Sequence, residues 1–224
     1  MTALPASELT RAALPPPQVL PAHYSFEHYD DLERWCSYWY QLRAALRLRP
    51  RRVLEIGSGT GVFRGYLERT GVEVLSADID PSRRPDYLAS VADLDAGLPA
   101  GERFDVAVAF QVLEHLPFAD FERCLEGLAR RAPWVLISLP CHGWRARLSF
   151  ALGALRLSVG LRMPWPTRFR PDAEHHWELG RGHSRRAITR RMQRYFVVED
   201  RGWIPENPYH YLWTLRSRLT TAAP

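Results

Sequence analysis

Hydrophobic residues along the chain form short runs separated by stretches of mixed polarity. Four runs rich in β-branched and other apolar residues, each bounded by polar turns, cover residues 53–56, 72–77, 104–110 and 134–139. Runs of this length and composition are typical of strands buried on both faces of a parallel sheet. We therefore predict four parallel strands over these ranges.

Helical periodicity appears between and around these runs. Leu32, Trp35, Trp39, Leu42 and Leu46 recur at steps of three and four, which predicts an amphipathic helix. Asp30 with Glu33 forms a capping-box start for it, and Pro50 follows its end. Further helices are predicted over 62–70, over 121–128 and after Ser184, with Ile188, Met192 and Tyr195 of the last one facing inward. Strands that alternate with helices indicate an α/β fold with a doubly wound sheet.

Three segments depart from this alternation. Residues 1–22 are rich in Ala, Leu and Pro and are predicted to be a flexible arm, so the domain covers 23–224. Residues 141–182 read as an insertion on the substrate side of that domain. Two further strands, 196–201 and 209–215, flank the turn 205–208 and favour an antiparallel pair.

Composition narrows the chemistry. The 224 residues suit one domain with an insertion, and 46% of them are hydrophobic, as in globular proteins. All 30 basic residues are arginine, which excludes the lysine of a phosphate-binding loop and a Schiff base to pyridoxal phosphate. The arginines are scattered among 25 acidic residues, so the net charge of +5 does not predict a nucleic-acid partner.

The three cysteines and the N-terminus bear on location. Cys36, Cys124 and Cys141 have no paired spacing, so neither a disulfide framework nor a zinc site is predicted. No signal-peptide pattern and no apolar run long enough to span a bilayer occur in the sequence. We expect a soluble, cytoplasmic protein.

The strongest motif is the run Val-Leu-Glu-Ile-Gly-Ser-Gly-Thr-Gly over 53–61, in which a strand enters a glycine-rich turn and then a helix. Glycine at such a turn allows a ligand to approach the backbone closely. A dinucleotide fingerprint would require a glycine where Val62 stands, so the spacing points away from NAD.

Polar residues follow the other strands. Asp78 ends the second strand, 21 residues after Gly57, where an acid can accept the hydroxyls of a ribose. Asp93 comes after a short run at 87–89, and Gln111 ends the next strand. Because the carboxyl ends of parallel strands meet at one edge of the sheet, these residues outline a single adenosine-shaped site.

With these motifs in order from Val53 to Pro140, the sequence resembles the class I S-adenosylmethionine-dependent methyltransferases, in particular the group that includes the ubiquinone-biosynthesis enzymes. The resemblance implies a Rossmann-like sheet of seven strands with the last antiparallel, and an insertion after the fifth. It also implies S-adenosylmethionine as cofactor. The cofactor-binding residues would be Glu55, Gly57, Ser58, Gly59 and Gly61 around the methionine, Asp78 and Ile79 at the ribose, Asp93 and Leu94 at the adenine, and Gln111 beside the methionine.

The segments around Tyr38, 174–178 and 205–210 resemble a bacterial subgroup of these enzymes that is often found alongside surface-polysaccharide genes. We therefore predict methyl transfer to a small-molecule or glycan-related acceptor, at oxygen. An RNA methyltransferase and a non-catalytic protein that binds the cofactor are the alternatives. No nucleic-acid partner and no metal are expected.

The catalytic candidates are histidines and one carboxylate. His115, after the fourth strand, is a candidate base, although it could equally bond its own backbone at a helix start. His175 and Glu178 in the insertion could form a base with an orienting carboxylate. The stretch 144–165 is predicted to be a lid over the pocket; its alternative is an Arg-bearing apolar helix that makes weak contact with a membrane surface.

Overall fold

The computed structural model describes residues 14, 19, 24–26, 29–153, 155–163, 175–180 and 182–220. Most of the predicted arm (1–22) and the middle of the predicted insertion (164–174) lie outside the described residues. The helices and strands are α1 (Leu32–Arg47), β1 (Arg52–Ile56), α2 (Val62–Arg69), β2 (Glu73–Asp78), β3 (Tyr87–Leu88), α3 (Leu94–Gly97), β4 (Val106–Phe110), α4 (Phe121–Arg131), β5 (Trp134–Pro140), β6 (Trp144–Leu152), β7 (Leu155–Met163), β8 (Glu178–Leu179), β9 (Gly182–His183), α5 (Arg185–Met192), β10 (Phe196–Ile204) and β11 (Asn207–Ser217).

Seven strands form one sheet in the order β3-β2-β1-β4-β5-β11-β10. The first five run parallel, and β11 lies antiparallel between β5 and β10. The predicted doubly wound sheet with an antiparallel last strand is confirmed. Because β1 pairs with β2 on one side and β4 on the other, the chain reverses direction across the sheet there. Open α/β sheets bind ligands in the crevice at such a switch point.

Both faces of the sheet are covered. Alternate residues of β1 belong to different hydrophobic clusters: Leu54 packs with α4 and α5, whereas Val53 packs with α1 and α2. Burial on both faces explains why the strands are continuous apolar runs in the sequence.

Helix α1 forms where the periodicity predicts it, but two details of the prediction are wrong. Its N-cap is Asp31, whose Oδ1 accepts a hydrogen bond from the Arg34 backbone N–H at 2.7 Å, and not Asp30. Of its five predicted apolar positions only Leu42 and Leu46 pack against the core, since Leu32, Trp35 and Trp39 are exposed. The buried residues are instead Ser37, Gln41 and Ala45.

The insertion begins as an antiparallel hairpin of β6 and β7, not as a helix. Its sequence alternates with a period of two, as Leu148, Phe150 and Leu152 are separated by smaller residues. This period matches a strand and not a helix. No helix in the described part of the chain is long and apolar enough to cross a membrane.

Candidate active site

A cavity of about 510 Å³ opens at the carboxyl ends of the parallel strands. Its floor is built from the residues that follow β1, β2, β3 and β4, as the sequence predicts. Leu14, Val19, Tyr24 and Tyr29, which precede α1, also line it. The predicted residues on its wall are Gly57, Gly59, Asp78, Ile79, Asp93, Gln111 and His115.

The glycine turn after β1 needs glycine for two different reasons. Gly57, Gly59 and Gly61 have φ angles of 73°, 48° and 76°, in the left-handed region that favours glycine. A Cβ atom on Gly57 would lie 2.7 Å from Cγ2 of Val112, so this glycine permits close packing. A Cβ atom on Gly61 would meet nothing within 4 Å, so the space beside the turn is open.

The carboxylate of Asp78 holds the glycine turn in place while lining the cavity. Its Oδ2 accepts hydrogen bonds from the backbone N–H and the hydroxyl of Ser58, at 3.0 and 3.2 Å. Its Oδ1 accepts one from the backbone N–H of Asp80 at 2.9 Å. Asp78 is therefore both a structural acceptor and a candidate ligand for the hydroxyls of a ribose.

Gln111 adopts a left-handed backbone conformation, with φ at 53°, at the end of β4. Its Oε1 accepts hydrogen bonds from Nη1 of Arg34 at 3.2 Å and from Nε2 of Gln41 at 3.4 Å, and its amide donates to the hydroxyl of Ser138. Strained backbone of this kind often accompanies a functional site.

Arg34 and Gln41 were missed by the sequence reasoning. They recur at helical spacing with Tyr38 along α1, and this polar stripe was the signal that could have found them.

A smaller cavity of about 40 Å³ lies between α1 and the glycine turn. Glu55, Ser58 and Gly61 line this space and not the larger one. Burial raises the pKa of Glu55 to about 8. Leu94, predicted beside the adenine, has its side chain in the hydrophobic core and is absent from both cavity walls.

The structure brings the three catalytic candidates together. The rings of His115 and His175 are 4.9 Å apart between centroids, and Nδ1 of His175 is 2.9 Å from Oε1 of Glu178. The hydroxyl of Tyr209 donates to the same Glu178 oxygen at 3.1 Å, and Nδ1 of His142 lies 3.8 Å from its Oε2. Of these groups, His115 lines the larger cavity.

Contacts around Trp177 hold this segment against the loop that carries His115. The buried Trp177 indole donates a hydrogen bond to the Leu116 carbonyl at 3.1 Å and packs against Phe118 and Phe121. The backbone N–H of His176 donates to the Glu114 carbonyl at 2.9 Å. His176 itself is exposed.

Two carboxyl groups near the histidines differ in environment. The pKa of Glu178 is below its ordinary value. Burial raises this pKa, but the opposing effects are larger: His175 contributes a hydrogen bond and a charge, and Tyr209 contributes a second hydrogen bond. Glu114 is fully buried, and burial raises its pKa to about 8.

The ligand atoms of Glu114, His115 and His175 lie within 4.8 Å of one another, a spacing that could hold a metal ion. The expectation of no metal stays a prediction.

Comparison with known proteins decides the family. A family model described as a methyltransferase domain matches residues 23–195, most of the chain. The chain belongs to this methyltransferase family. The prediction of the class I S-adenosylmethionine-dependent methyltransferases, made from the glycine turn and the strand ends, is confirmed.

Several proteins are similar to this methyltransferase. A ubiquinone biosynthesis O-methyltransferase of Cereibacter sphaeroides is 29% identical in an alignment of 199 positions, which covers 79% of this chain and 72% of the relative.

Solved structures share the fold. The Burkholderia thailandensis 1,6-didemethyltoxoflavin-N1-methyltransferase superposes with a TM-score of 0.57 at 17% identity, covering 97% of this chain and 92% of that one. The N-methyltransferase NodS of Bradyrhizobium japonicum gives 0.54 at 12% identity, covering 84% and 89%.

Proposed function

We propose that this methyltransferase transfers a methyl group from S-adenosylmethionine to an oxygen atom of a small-molecule acceptor, and that His115 is the base. The observation that carries the proposal is the position of His115 on the wall of the larger cavity, with the His175–Glu178 pair directly behind it.

The residues present fit the cofactor. The cavity, of about 510 Å³, is within the range of small-molecule sites. Asp78 and Asp93 offer carboxylates at its wall, and Ala89, Val91 and Ala92 add apolar surface suited to an adenine ring. The open space beside Gly61 leaves room next to the turn. When bound, S-adenosylmethionine supplies a methyl group activated by a positively charged sulfur.

The chain's own residues would position the acceptor and remove its proton. A hydroxyl is a weak nucleophile, and a base within hydrogen-bond reach increases its reactivity. His115 would take the hydroxyl proton at a ring nitrogen. Contacts with His175, Tyr209 and His142 hold Glu178 ionised. Its negative charge would stabilise the positive charge that then develops on His115 and the adjacent His175.

Two observations favour an oxygen acceptor. The relatives with the higher identity are named as O-methyltransferases, whereas the N-methyltransferases resemble this chain at 17% identity or less. A base with an orienting carboxylate suits a hydroxyl, because a neutral amine is already nucleophilic. A glycan-related hydroxyl belongs to the same class of acceptor.

The proposal is tested with methyl-labelled S-adenosylmethionine and a panel of small phenols, hydroxylated sugars and amines. The parent enzyme should label hydroxyl compounds. His115→Ala should lower kcat by about a hundredfold or more, with little change in affinity for S-adenosylhomocysteine, because the base is lost while Asp78, Asp93 and the glycine turn are unchanged.

Matched variants separate the roles of the neighbouring groups. Glu178→Gln should lower kcat less than His115→Ala and change the pH profile, since Glu178 acts through the histidines. His176→Ala, which alters an exposed neighbour, should behave as the parent. Labelling of amines alone, or full activity of His115→Ala, contradicts the proposal.

A further inference from the structure

The β6–β7 hairpin carries an apolar face that the described residues leave uncovered. The register pairs Leu148 with Val159, Phe150 with Leu157 and Leu152 with Leu155, which places all six on one face. Their exposed fractions range from 41% for Val159 to 69% for Leu152. A contiguous apolar patch of this kind marks an interaction surface.

This face is not part of the wall of either cavity. None of the six residues lines the larger or the smaller cavity. Both strands of the hairpin contact β11 of the main sheet, yet the apolar face stays exposed among the described residues. An external partner that covers the face is therefore favoured.

The charge of the same segment indicates what that partner is. Residues 141–163 contain four arginines, at 145, 147, 156 and 162, and no aspartate or glutamate. The register places these positions on the opposite face of the thin ribbon, so their charge stays within about 10 Å, one Debye length, of the headgroups when the apolar face is inserted. A segment with an apolar face and a purely basic charge suits an anionic lipid surface, where the acyl boundary takes apolar groups and the headgroups attract arginine.

We propose that the β6–β7 hairpin docks this enzyme on an anionic lipid bilayer, with the six-residue apolar face inserted at the headgroup boundary. The hairpin lies in the surface and does not cross the bilayer, because the edges of a two-stranded ribbon leave backbone groups unpaired. A second copy fits less well, since a symmetric contact would bring two basic hairpins together.

The β6–β7 hairpin, and with it the proposed lipid-binding face, lies close in the chain to the edge of the sheet where the larger cavity opens. Strand β6 begins at Trp144, shortly after β5 ends at Pro140, and β5 ends at the edge of the sheet where the cavity opens. Docking would therefore hold the cavity mouth close to the lipid surface. The docking itself does not depend on which acceptor is methylated.

The test is co-flotation of the full chain with vesicles. Vesicles of phosphatidylcholine alone are compared with vesicles that also contain phosphatidylglycerol, at low and high salt. The protein should float with the anionic vesicles at low salt and much less with the neutral ones.

Variants assign the binding to the hairpin. The triple variant Leu148→Ser, Phe150→Ser, Leu157→Ser should lower the bound fraction by about tenfold or more, because the inserted apolar area is lost. The matched control Tyr66→Ser, Leu219→Ser changes two residues that are each 52% exposed outside the hairpin, and it should float as the parent. Circular dichroism and S-adenosylhomocysteine binding should show that both variants are folded.

Three results would overturn the proposal. The parent protein does not float with anionic vesicles; the triple variant floats as well as the parent; or light scattering shows that the parent is a dimer in solution and the triple variant a monomer. The last result would assign the face to a second copy.

Discussion

Asp78 has two roles that a single substitution would disturb together. Its carboxylate fixes the glycine turn through Ser58 and the following turn through Asp80, and it also faces the cavity. A test of its role in cofactor binding therefore needs, beside a substitution of Asp78, a control variant that loosens the turn and keeps the charge of Asp78.

Asp78→Ala should weaken binding of S-adenosylhomocysteine by about 1 to 3 kcal/mol, because the ribose hydroxyls lose a charged acceptor. Ser58→Ala is the matched control, since it removes one hydrogen bond to Asp78 and leaves the carboxylate in place. It should weaken binding much less. Equal calorimetric affinities for Asp78→Ala and the parent would assign Asp78 to structure alone.

Glu114 makes the stability of the fold depend on pH. Neither of its carboxylate oxygens has a hydrogen-bond partner among the described residues, and burial raises its pKa from 4.5 to about 8. The folded state therefore keeps a proton that the unfolded state releases. This stabilisation is complete below pH 4.5 and is lost as the pH rises to about 8.

Glu114→Gln should remove that loss, because the amide does not ionise. Near pH 4.5 the variant and the parent should have similar melting temperatures, and near pH 8 the variant should melt higher. Differential scanning calorimetry across this range measures the effect. If the parent melts at a higher temperature than Glu114→Gln near pH 8, the ionised Glu114 has a stabilising partner and the account is contradicted.

Helices and strands were predictable from the sequence to different extents. The bounds of β1, β2, β4 and β5 agree with the sequence within two residues, because strands buried on both faces are apolar runs. The buried face of α1 was predicted correctly only at Leu42 and Leu46, since Gln41 turns inward to bind Gln111 and no apolar pattern marks such a contact.

The candidate site was also predictable only in part. The glycine turn, Asp78 and Gln111 follow their strands directly, so the topology alone brings them together. The approach of His175 to His115 depends instead on the docking of Trp177 against Leu116, far away in the sequence. The alternative interpretation of 144–165 as a membrane-surface helix is wrong over 144–163, because the sequence there has the period of two that forms strands.

Trp177→Phe should test that docking, because it keeps an aromatic ring in the core and removes the N–H that bonds to Leu116. We expect kcat to fall by about tenfold, as His175 and Glu178 lose their fixed position, while S-adenosylhomocysteine affinity stays within about twofold of the parent. Trp39→Phe, at an exposed position, is the control and should be neutral. A change in cofactor affinity without a change in kcat would contradict this role.

The whole molecule combines a sheet that builds a ligand site with additions that surround it. The carboxyl ends of β1 to β4 form the floor of the cavity, and Tyr24, Tyr29 and α1 approach from the N-terminal side. The segment after β5 adds His175, Glu178 and the basic hairpin. We expect the sheet to determine the cofactor, and the additions to determine the acceptor and the location of the enzyme.

Calorimetric titration of the purified chain with S-adenosylhomocysteine tests the cofactor assignment most directly, with NAD as an adenine-containing control. The glycine spacing at 57, 59 and 61 and the acid at 78 suit an adenosine ligand without a pyrophosphate. S-adenosylhomocysteine should therefore bind at one site per chain, and NAD should give no heat of binding. Saturable binding of NAD with no response to S-adenosylhomocysteine would contradict the assignment of this cavity to a methyl donor.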